Sequence, residues 1–329
     1  MICAIVDSGI NEKYISNKRI VGGKGFCIEN YEVKATNEIM DEDGHGSACF
    51  HVLNKNTLNC DFYIIKILNN GVSDARLLCA ALHHCLEINA DVVNLSLSII
   101  NVNRLQIIDE LEKVIKTMTE KNMIIVASYP NGNIEGYPAS CKNVIGIRGG
   151  ISFDENYCNV IRTSDGKLNL VSNILPVITI RENGNHYFFG GNSKATAMAT
   201  ARIIEILQKS KEFNKDCLYN NPKWISNEDN ETFRDYDYLK EMIDYNITPS
   251  QLHKQVFNII TELTGCKIEM FDNLIMRNVV SPTNILSLVI RLEQELEIEI
   301  NDENLRFDDF ICVDNIVKMV IKNGKHTFY

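Results

Sequence analysis

The first 130 residues alternate between short apolar runs and longer segments with helical spacing, and this alternation most limits the folds open to the chain. The runs at 2–6, 62–68, 91–97 and 123–127 are predicted strands, whereas the segments at 73–86 and 105–119 are predicted helices. Strands that alternate with helices usually form a parallel sheet covered on both faces. The predicted fold class is therefore α/β with a mostly parallel sheet.

A serine lies where the later part of this region turns from loop to helix. Strand-like runs continue at 143–147, 169–171 and 177–180, and a run at 186–189 leads into the sequence Gly190-Gly191-Asn192-Ser193. A segment of small residues with helical character follows to about residue 208. Ser193 is therefore predicted at the start of a helix.

Length and charge together indicate two domains. The chain has 329 residues, about twice the ~150 residues that serve as a prior for one domain, and most of its excess acidic residues follow residue 212. We predict a first domain at 1–212, a polar connector at 213–247 and a smaller domain at 248–329.

The smaller domain has the pattern of a helical bundle. Thr248-Pro249-Ser250-Gln251 predicts a helix start with Thr248 as the N-cap, and the helix should stop at Gly265. Further amphipathic helices are predicted at about 283–296 and 313–321. These segments predict a small all-α domain.

Composition excludes several classes of function. The net charge of −10 argues against a surface that binds nucleic acid. The sequence has neither a secretory leader nor 18 consecutive apolar residues, so no membrane partner is expected. The 11 cysteines include no CxxC pair, which is typical of a reduced, cytoplasmic protein without a metal centre. We expect no cofactor.

Three short patterns carry the chemistry. Asp7 follows the first strand, His45 lies in Gly44-His45-Gly46-Ser47, and Ser193 opens a helix in Gly191-Asn192-Ser193-Lys194-Ala195. Taken singly, these residues are typical of a turn, a loop and an N-cap. Their order along the chain, Asp then His then Ser, is one of the known orders of a catalytic triad.

With these motifs the chain resembles the subtilisin-like serine proteases, the subtilases. The first motif reads Ile5-Val6-Asp7-Ser8-Gly9, and two further matches are Val92-Val93-Asn94-Leu95-Ser96-Leu97 and Tyr137-Pro138-Ala139. The resemblance covers about residues 1–208. It implies a three-layer α/β/α sandwich and a serine endopeptidase that hydrolyses peptide bonds.

The resemblance also implies roles for single residues. Ser193 would be the nucleophile, His45 its general base and Asp7 the carboxylate that orients the imidazole. Asn131 falls where the family has its oxyanion-hole amide, although a turn residue in Pro130-Asn131-Gly132-Asn133 is the alternative. The residues predicted to bind the substrate are Ser96, Leu97, Ser98, Ile99 and Tyr129.

Several residues depart from the family pattern. Pro130 replaces a Gly, Asn192 a Thr, Lys194 a Met and Ala197 a Pro. The bulky sequence Ser98-Ile99-Ile100 and Tyr129 should narrow the cleft, which favours a dedicated substrate over broad digestion.

The expected function is an intracellular processing protease, for example in the maturation of a ribosomal peptide. Met1 lies six residues before Asp7, so we expect neither a signal nor a folding propeptide. Two alternatives stay open. One is a catalytically weak or inactive subtilase-fold binding protein, and the other is a hydrolase acting on carrier-tethered acyl or peptidyl groups.

The C-terminal domain resembles an acyl or peptidyl carrier protein over about residues 249–324, which implies a four-helix bundle. The likeness rests on the acidic run that contains Glu293, Glu295, Glu297 and Glu299. Pro282 stands where a carrier has its phosphopantetheine serine, and Ser281 before it fits a helix N-cap, so we expect no phosphopantetheine. The domain is predicted to dock a basic biosynthetic partner protein, with a plain acidic helical bundle as the alternative.

Overall fold

The structure is a computed structural model that describes most of the chain. The described residues are 1–69, 71, 73–100, 105–130, 135–150, 157–162, 166–180, 186–210, 218, 243–281, 284–301 and 305–326. The chain forms two compact units. The second unit comprises Leu175–Thr179, Asn185–Phe189 and Phe233–Tyr329, and the first comprises the remaining residues.

A nine-stranded sheet forms the centre of the first unit, in the order β3-β2-β4-β1-β5-β6-β7-β9-β8. Two pairs, β2 with β3 and β8 with β9, are antiparallel, and the other neighbours are parallel. The strands are β1 (Ile2–Asp7), β2 (Ile20–Glu29), β3 (Glu32–Thr36), β4 (Asp61–Lys66), β5 (Val92–Leu95), β6 (Ile124–Ser128), β7 (Ile145–Gly150), β8 (Cys158–Arg162) and β9 (Leu168–Asn173). The predicted α/β fold with a mostly parallel sheet is confirmed.

Helices cover both faces of this sheet. They are α1 (Glu12–Ile15), α2 (His45–Asn56), α3 (Ala75–Glu87), α4 (Leu105–Glu120) and α5 (Gly191–Lys209). On one face α3 and α4 pack over Ala4, Val6 and other alternate strand residues. On the other face α2 packs against α5, and Thr200 of α5 bonds to Asn94 of β5. Because alternate side chains of a strand point to opposite faces, Ile5 and Asp7 lie on the face covered by α2 and α5.

This topology brings four chain segments to one edge of the sheet. β1 and β5 are parallel neighbours, so the residues that follow them, from Asp7 and from Ser96, lie at the same edge. In α/β sheets, sites form at the carboxyl ends of the strands. The chain enters α2 and α5 at residues 45 and 191 from this edge, so His45 and Ser193 are each in the first turn of a helix.

The second unit is not an all-α bundle in the part that the structure describes. Its elements are β10 (Val177–Ile180), β11 (His186–Phe189), α6 (Gln251–Thr264), α7 (Ile285–Leu296), β12 (Ile298–Ile300), a 3₁₀ helix at Phe307–Phe310, α8 (Val313–Asn323) and β13 (Gly324–His326). β10 pairs with β11, and β12 pairs antiparallel with β13. The expected four-helix bundle is therefore not confirmed.

Two helix starts in the second unit differ from the prediction. The N-cap of α6 is Ser250 rather than Thr248, because its hydroxyl accepts a hydrogen bond from the His253 N–H. The cap residue of α7 is Asn284 rather than Ser281, while Pro282 lies outside the described residues. The end of α6 at Gly265, which has a φ of 64°, agrees with the prediction because glycine adopts this left-handed conformation readily. No described helix is long and apolar enough to cross a bilayer.

Candidate active site

Asp7 and His45 form a close pair at the carboxyl end of β1. Asp7 is 1% exposed, and its Oδ1 accepts hydrogen bonds from His45 Nδ1 at 2.7 Å and from the Ser8 N–H at 2.8 Å. A neutral imidazole that donates through Nδ1 carries its lone pair on Nε2, the atom that can take a proton. The His45 side chain is 32% exposed, so the ring is accessible from solvent while its carboxylate partner is not. This is the arrangement of a general base and the acid that orients it.

The approach of α2 to β1 depends on a glycine. A Cβ on Gly46 would lie 2.4 Å from Gly9 O and 3.2 Å from Asp7 Cβ, distances that backbone atoms cannot relieve cheaply. The Gly46 N–H also donates to Ser8 Oγ at 2.8 Å. Gly46 therefore lets the first turn of α2 sit directly against the end of β1, and this contact brings His45 within reach of Asp7.

Asp41 organises the loop that carries His45. The sequence predicts a solvated acidic loop at 41–43, but Asp41 is fully buried. Its carboxylate accepts hydrogen bonds from the hydroxyl of Ser8 at 2.8 Å, from the N–H of Gly44 at 2.8 Å and from both the N–H and hydroxyl of Ser47. Burial alone would raise the pKa of Asp41, but these hydrogen bonds hold it below its ordinary value. The sequence could not reveal this role, because one of the donors, Ser8, lies 33 residues away along the chain.

Cys49, one turn into α2, lies against the Asp7–His45 pair. Its Sγ is 3.6 Å from Asp7 Oδ2. Among the described residues, Asp7, His45 and Cys49 are the one group of potential metal ligands, with one donor atom of each within 4.8 Å of the others. Burial raises the pKa of the Cys49 thiol to about 11, with Asp7 acting in the same direction, so the sulfur stays a protonated thiol near neutral pH. The group is better described as a hydrogen-bonded set than as a metal centre.

Ser193 is tied to the residue that follows β5. Its Oγ donates to Ser96 O at 3.2 Å, and Ser96 Oγ donates to Ser193 O at 3.1 Å. Asn94 Nδ2 in turn donates to Ser96 Oγ at 3.1 Å. A hydrogen bond also joins Ser96 to Cys49. This bond lowers the pKa of the Cys49 thiol, but the larger effect of burial keeps that pKa raised. Ser96 therefore links Ser193 to the cluster around Asp7 and His45.

The pKa of His45 is set by burial and by two neighbours. Burial is the largest single influence and lowers this pKa, but the charge and hydrogen bond of Asp7, with Cys49 acting in the same direction, together raise it well above the ordinary value, near 6.5. In the free enzyme the imidazole therefore holds its proton more tightly than an exposed histidine does.

The predicted substrate-binding residues lie in two settings. Leu97, Ser98 and Ile99 are half-buried along the chain that leaves β5, next to the buried Ser96. Tyr129 is 4% exposed, and its hydroxyl accepts a hydrogen bond from Lys167 Nζ at 2.9 Å. The structure thus gives the Tyr129 side chain a packing role, and its part in substrate binding stays a prediction. Asn131 lies outside the described residues.

Part of the backbone along the predicted cleft is already hydrogen-bonded within the protein. The Ile99 N–H donates to Tyr137 O at 2.7 Å, and the Tyr137 N–H donates to Ile99 O at 3.0 Å. Both backbone groups of Ile99 are therefore engaged within the protein.

A family model described as the subtilase family matches residues 1–219, about two thirds of the chain. The chain belongs to the subtilase family. This subtilase is accordingly a serine-type endopeptidase, as the triad motifs predict. No curated protein sequence matches it in a direct comparison.

Solved structures that resemble this subtilase include three peptide-processing proteases. The nisin leader peptidase NisP from Lactococcus lactis has 16% sequence identity and a TM-score of 0.51, covering 66% of this chain and 80% of that chain. The prenylagaramide maturation protease PagA has 16% identity and a TM-score of 0.46, covering 65% and 79%. The epidermin leader peptide processing protease EpiP from Staphylococcus aureus has 17% identity and a TM-score of 0.47, covering 64% and 66%. At such identities the likeness concerns the fold alone.

Proposed function

We propose that this subtilase is a dedicated processing endopeptidase whose Asp7, His45 and Ser193 act as a catalytic triad. The observation that carries the proposal is the 2.7 Å contact between His45 Nδ1 and the buried Asp7, at the sheet edge where Ser193 begins α5. Ser96 supports the same assembly, because it is hydrogen-bonded both to Ser193 and to Cys49. Cys49 in turn contacts Asp7.

In the proposed reaction the Ser193 hydroxyl attacks the carbonyl carbon of the scissile peptide bond. Its proton, which is directed to Ser96 O in the free enzyme, passes to His45 Nε2 as the new C–O bond forms. Asp7 holds the ring and stabilises the imidazolium. The imidazolium then protonates the leaving amine, and water repeats the sequence on the acyl-enzyme to release the carboxylic acid and restore Ser193.

The oxyanion of the tetrahedral intermediate needs donors close to Ser193. The Ser193 N–H is in the first turn of α5, where backbone N–H groups lack partners within the helix and the helix dipole favours negative charge. Asn131 stays the predicted side-chain donor, and loss of such a donor costs about 10² to 10³ in turnover.

A narrow substrate range is supported by the backbone at the cleft. The pairing of Ile99 with Tyr137 leaves a short stretch, 96–98, for a substrate strand, and the Leu97 backbone makes no hydrogen bond to the described part of the chain. Substrate discrimination then depends on fitting a peptide of limited shape into this stretch. A processing role, as in the leader peptidase NisP that shares the fold, is the function we infer, with a peptide or protein as substrate.

Two further parts of the proposal concern compartment and partner. The ten described cysteines are free thiols, which suits a reducing, cytoplasmic setting. A partner protein docked on the second unit also stays a prediction. The acidic residues assigned to it do not share one helix, because α7 ends at Leu296, Glu297 is its C-cap and Glu299 lies on β12.

The proposal is tested by labelling the full chain with a fluorophosphonate and by hydrolysis of a fluorogenic peptide library. Wild-type protein should gain one label on the peptide that contains Ser193. Ser193→Ala should gain none, and His45→Ala should lose labelling and hydrolysis by about 10⁴-fold, because the hydroxyl is a poor nucleophile without its base.

Ser250 supplies a matched control. Its Oγ lies 2.7 Å from His253 Nδ1, and His253 Nε2 lies 3.2 Å from Asp314, so this helix cap also contains Ser, His and Asp in contact. Ser250→Ala should keep the full label, because the Ser250 hydroxyl is engaged as the N-cap of α6. A wild-type chain that takes no label at Ser193 would favour the alternative, an inactive subtilase-fold binding protein.

A further inference from the structure

Asn192, the residue before Ser193, makes three hydrogen bonds to the backbone of two neighbouring strand ends. Its Oδ1 accepts from the Gly149 N–H at 2.8 Å, at the end of β7. Its Nδ2 donates to Tyr129 O and to Pro130 O, both at 3.0 Å, just after β6. Both amide hydrogens and the amide oxygen are therefore engaged with the protein itself.

The chemistry of the partners fixes the orientation of this amide. A flipped amide would set NH₂ against the Gly149 N–H and oxygen against two carbonyl oxygens, which is unfavourable on all three sides. The approach to β7 also requires a glycine, since a Cβ on Gly149 would lie 2.5 Å from Asn192 Oδ1 and 2.0 Å from Ile174 Cγ2. Gly149 and Asn192 are thus matched to each other.

The contacts of Asn192 complement those of Ser193. Ser193 and Ser96 exchange two hydrogen bonds, which attach the nucleophile turn to the end of β5. Asn192 attaches the same turn to the ends of β6 and β7. Three neighbouring strands of the sheet therefore hold two consecutive residues, one of which is the proposed nucleophile.

We propose that Asn192 is a positioning residue, which fixes Ser193 relative to the chain that leaves β6 at Pro130. The inference rests on the proposed function, because it assigns a role around the Ser193 nucleophile. A displacement of about 1 Å in a reacting group can cost about 10² in rate. Asn192 acts through Ser193 and the Pro130 segment, because its polar atoms are committed to the backbone rather than to substrate.

The test compares Asn192→Ala and Asn192→Asp in the full chain with a matched asparagine elsewhere. The Asp variant has nearly the same shape but faces two carbonyl oxygens with a carboxylate, so it tests the hydrogen bonds with little change in packing. Asn284 is the control, because it also bridges backbone groups, accepting from the Ser281 N–H at 2.9 Å and donating to Val279 O at 2.8 Å in the second unit. Thermal unfolding, peptide kcat and KM, and the rate of fluorophosphonate labelling are measured for each variant.

Both Asn192 variants should lose about 10² in kcat and a similar factor in labelling rate, with KM within about threefold of wild type. Asn284→Ala should lower thermal stability and leave kcat and labelling unchanged. The inference is overturned if either Asn192 variant keeps the wild-type kcat, or if the loss is confined to KM. It is also overturned if kcat falls only in proportion to the loss of thermal stability. In that case Asn284→Ala, which also lowers thermal stability, would lower kcat as well. A wild-type chain without label at Ser193 would instead overturn the proposed function, and this inference with it.

Discussion

His45 experiences two opposing influences, and their balance sets the pH at which the enzyme can work. Burial is the largest single influence and lowers the pKa of the imidazole, whereas Asp7 and, after it, Cys49 together raise this pKa well above 6.5. A general base must be unprotonated, so kcat/KM should increase as the pH rises through this elevated pKa. We expect the acidic limb of the pH profile to lie above the ordinary histidine value of about 6.5.

The profile is measured as kcat/KM for the best library peptide from pH 5 to 10 at constant ionic strength. In Asp7→Asn the larger of the two raising influences is gone while burial remains, so the limb should move to lower pH as turnover falls by about 10⁴. Asp74→Asn removes a carboxylate that pairs with Arg76 on the surface and should leave the limb in place. A wild-type limb at or below pH 6.5 would contradict the assignment.

At the scale of residues, the sequence predicted those that belong to local patterns and missed those defined by distant partners. Asp7, His45 and Ser193 stand in short motifs whose order indicates the chemistry. The roles of Asp41 and Asn192 depend on donors and acceptors that lie far along the chain, such as Ser8 for Asp41 and Gly149 for Asn192. The burial and hydrogen bonds of these two residues follow from the fold, so no local sequence pattern predicts their roles.

The loop at 41–44 and the start of α2 form one element that depends on the Asp41 carboxylate. Asp41→Ala would leave the N–H groups of Gly44 and Ser47 without their acceptor, at about 1–3 kcal/mol for each buried group. We therefore expect a loss of about 3 kcal/mol or more in the free energy of unfolding, measured by urea denaturation at pH 7. Glu42→Ala, at the exposed neighbour, should change it by less than about 0.5 kcal/mol.

The pH dependence gives this prediction a second readout. The pKa of Asp41 is lower in the folded state than its ordinary value, so its contribution is present at neutral pH and is lost as the pH falls through the folded-state pKa. The gap between wild type and Asp41→Ala should therefore narrow below about pH 4. A gap that is small at pH 7, or that widens on acidification, would contradict a stabilising carboxylate.

Helices and strands were predictable where the apolar residues along the chain form a simple pattern. The strands β1, β4, β5 and β6 are mostly apolar because both faces of a central parallel strand are covered. The hairpin of β2 and β3 was missed, since its residues are mostly half-buried or exposed and include Gly22, Gly23 and Gly25. The N-cap of α6 was misplaced by two residues because Thr248 and Ser250 both satisfy the local capping pattern.

At the scale of the whole molecule, the two units cannot be separated by dividing the sequence at one position. The paired strands β10 and β11 precede Ser193 in the chain but, apart from Ile180, belong to the second unit. Phe188 of β11 packs edge-on against Phe307 at a ring-centroid distance of 5.0 Å and against Phe310 at 6.1 Å. A backbone bridge also joins Val177 to Arg306. A chain cut at 212 would keep β10 and β11 and lose the residues that cover Phe188.

Phe188 provides a test of this interleaved organisation. It is 8% exposed, and truncating such a phenylalanine to alanine costs about 3–5 kcal/mol through lost burial and the cavity left behind. In Phe188→Ala, amide hydrogens of α8 should exchange at least about 10²-fold faster, because the local opening free energy falls by that amount. Exchange is followed by mass spectrometry of peptides from α8 and from β1.

The control is Ile290→Ala, which truncates a side chain of α7 that is 43% exposed and should change exchange in α8 little. The β1 peptide reports on the first unit and should change less than the α8 peptide in Phe188→Ala, because Phe188 contributes to the core of the second unit. If exchange in α8 were the same in Phe188→Ala and wild type, β10 and β11 would not stabilise the C-terminal residues. The second unit would then be built from residues after 233 alone, and a chain cut at 212 would become a fair test of what the second unit contributes to processing.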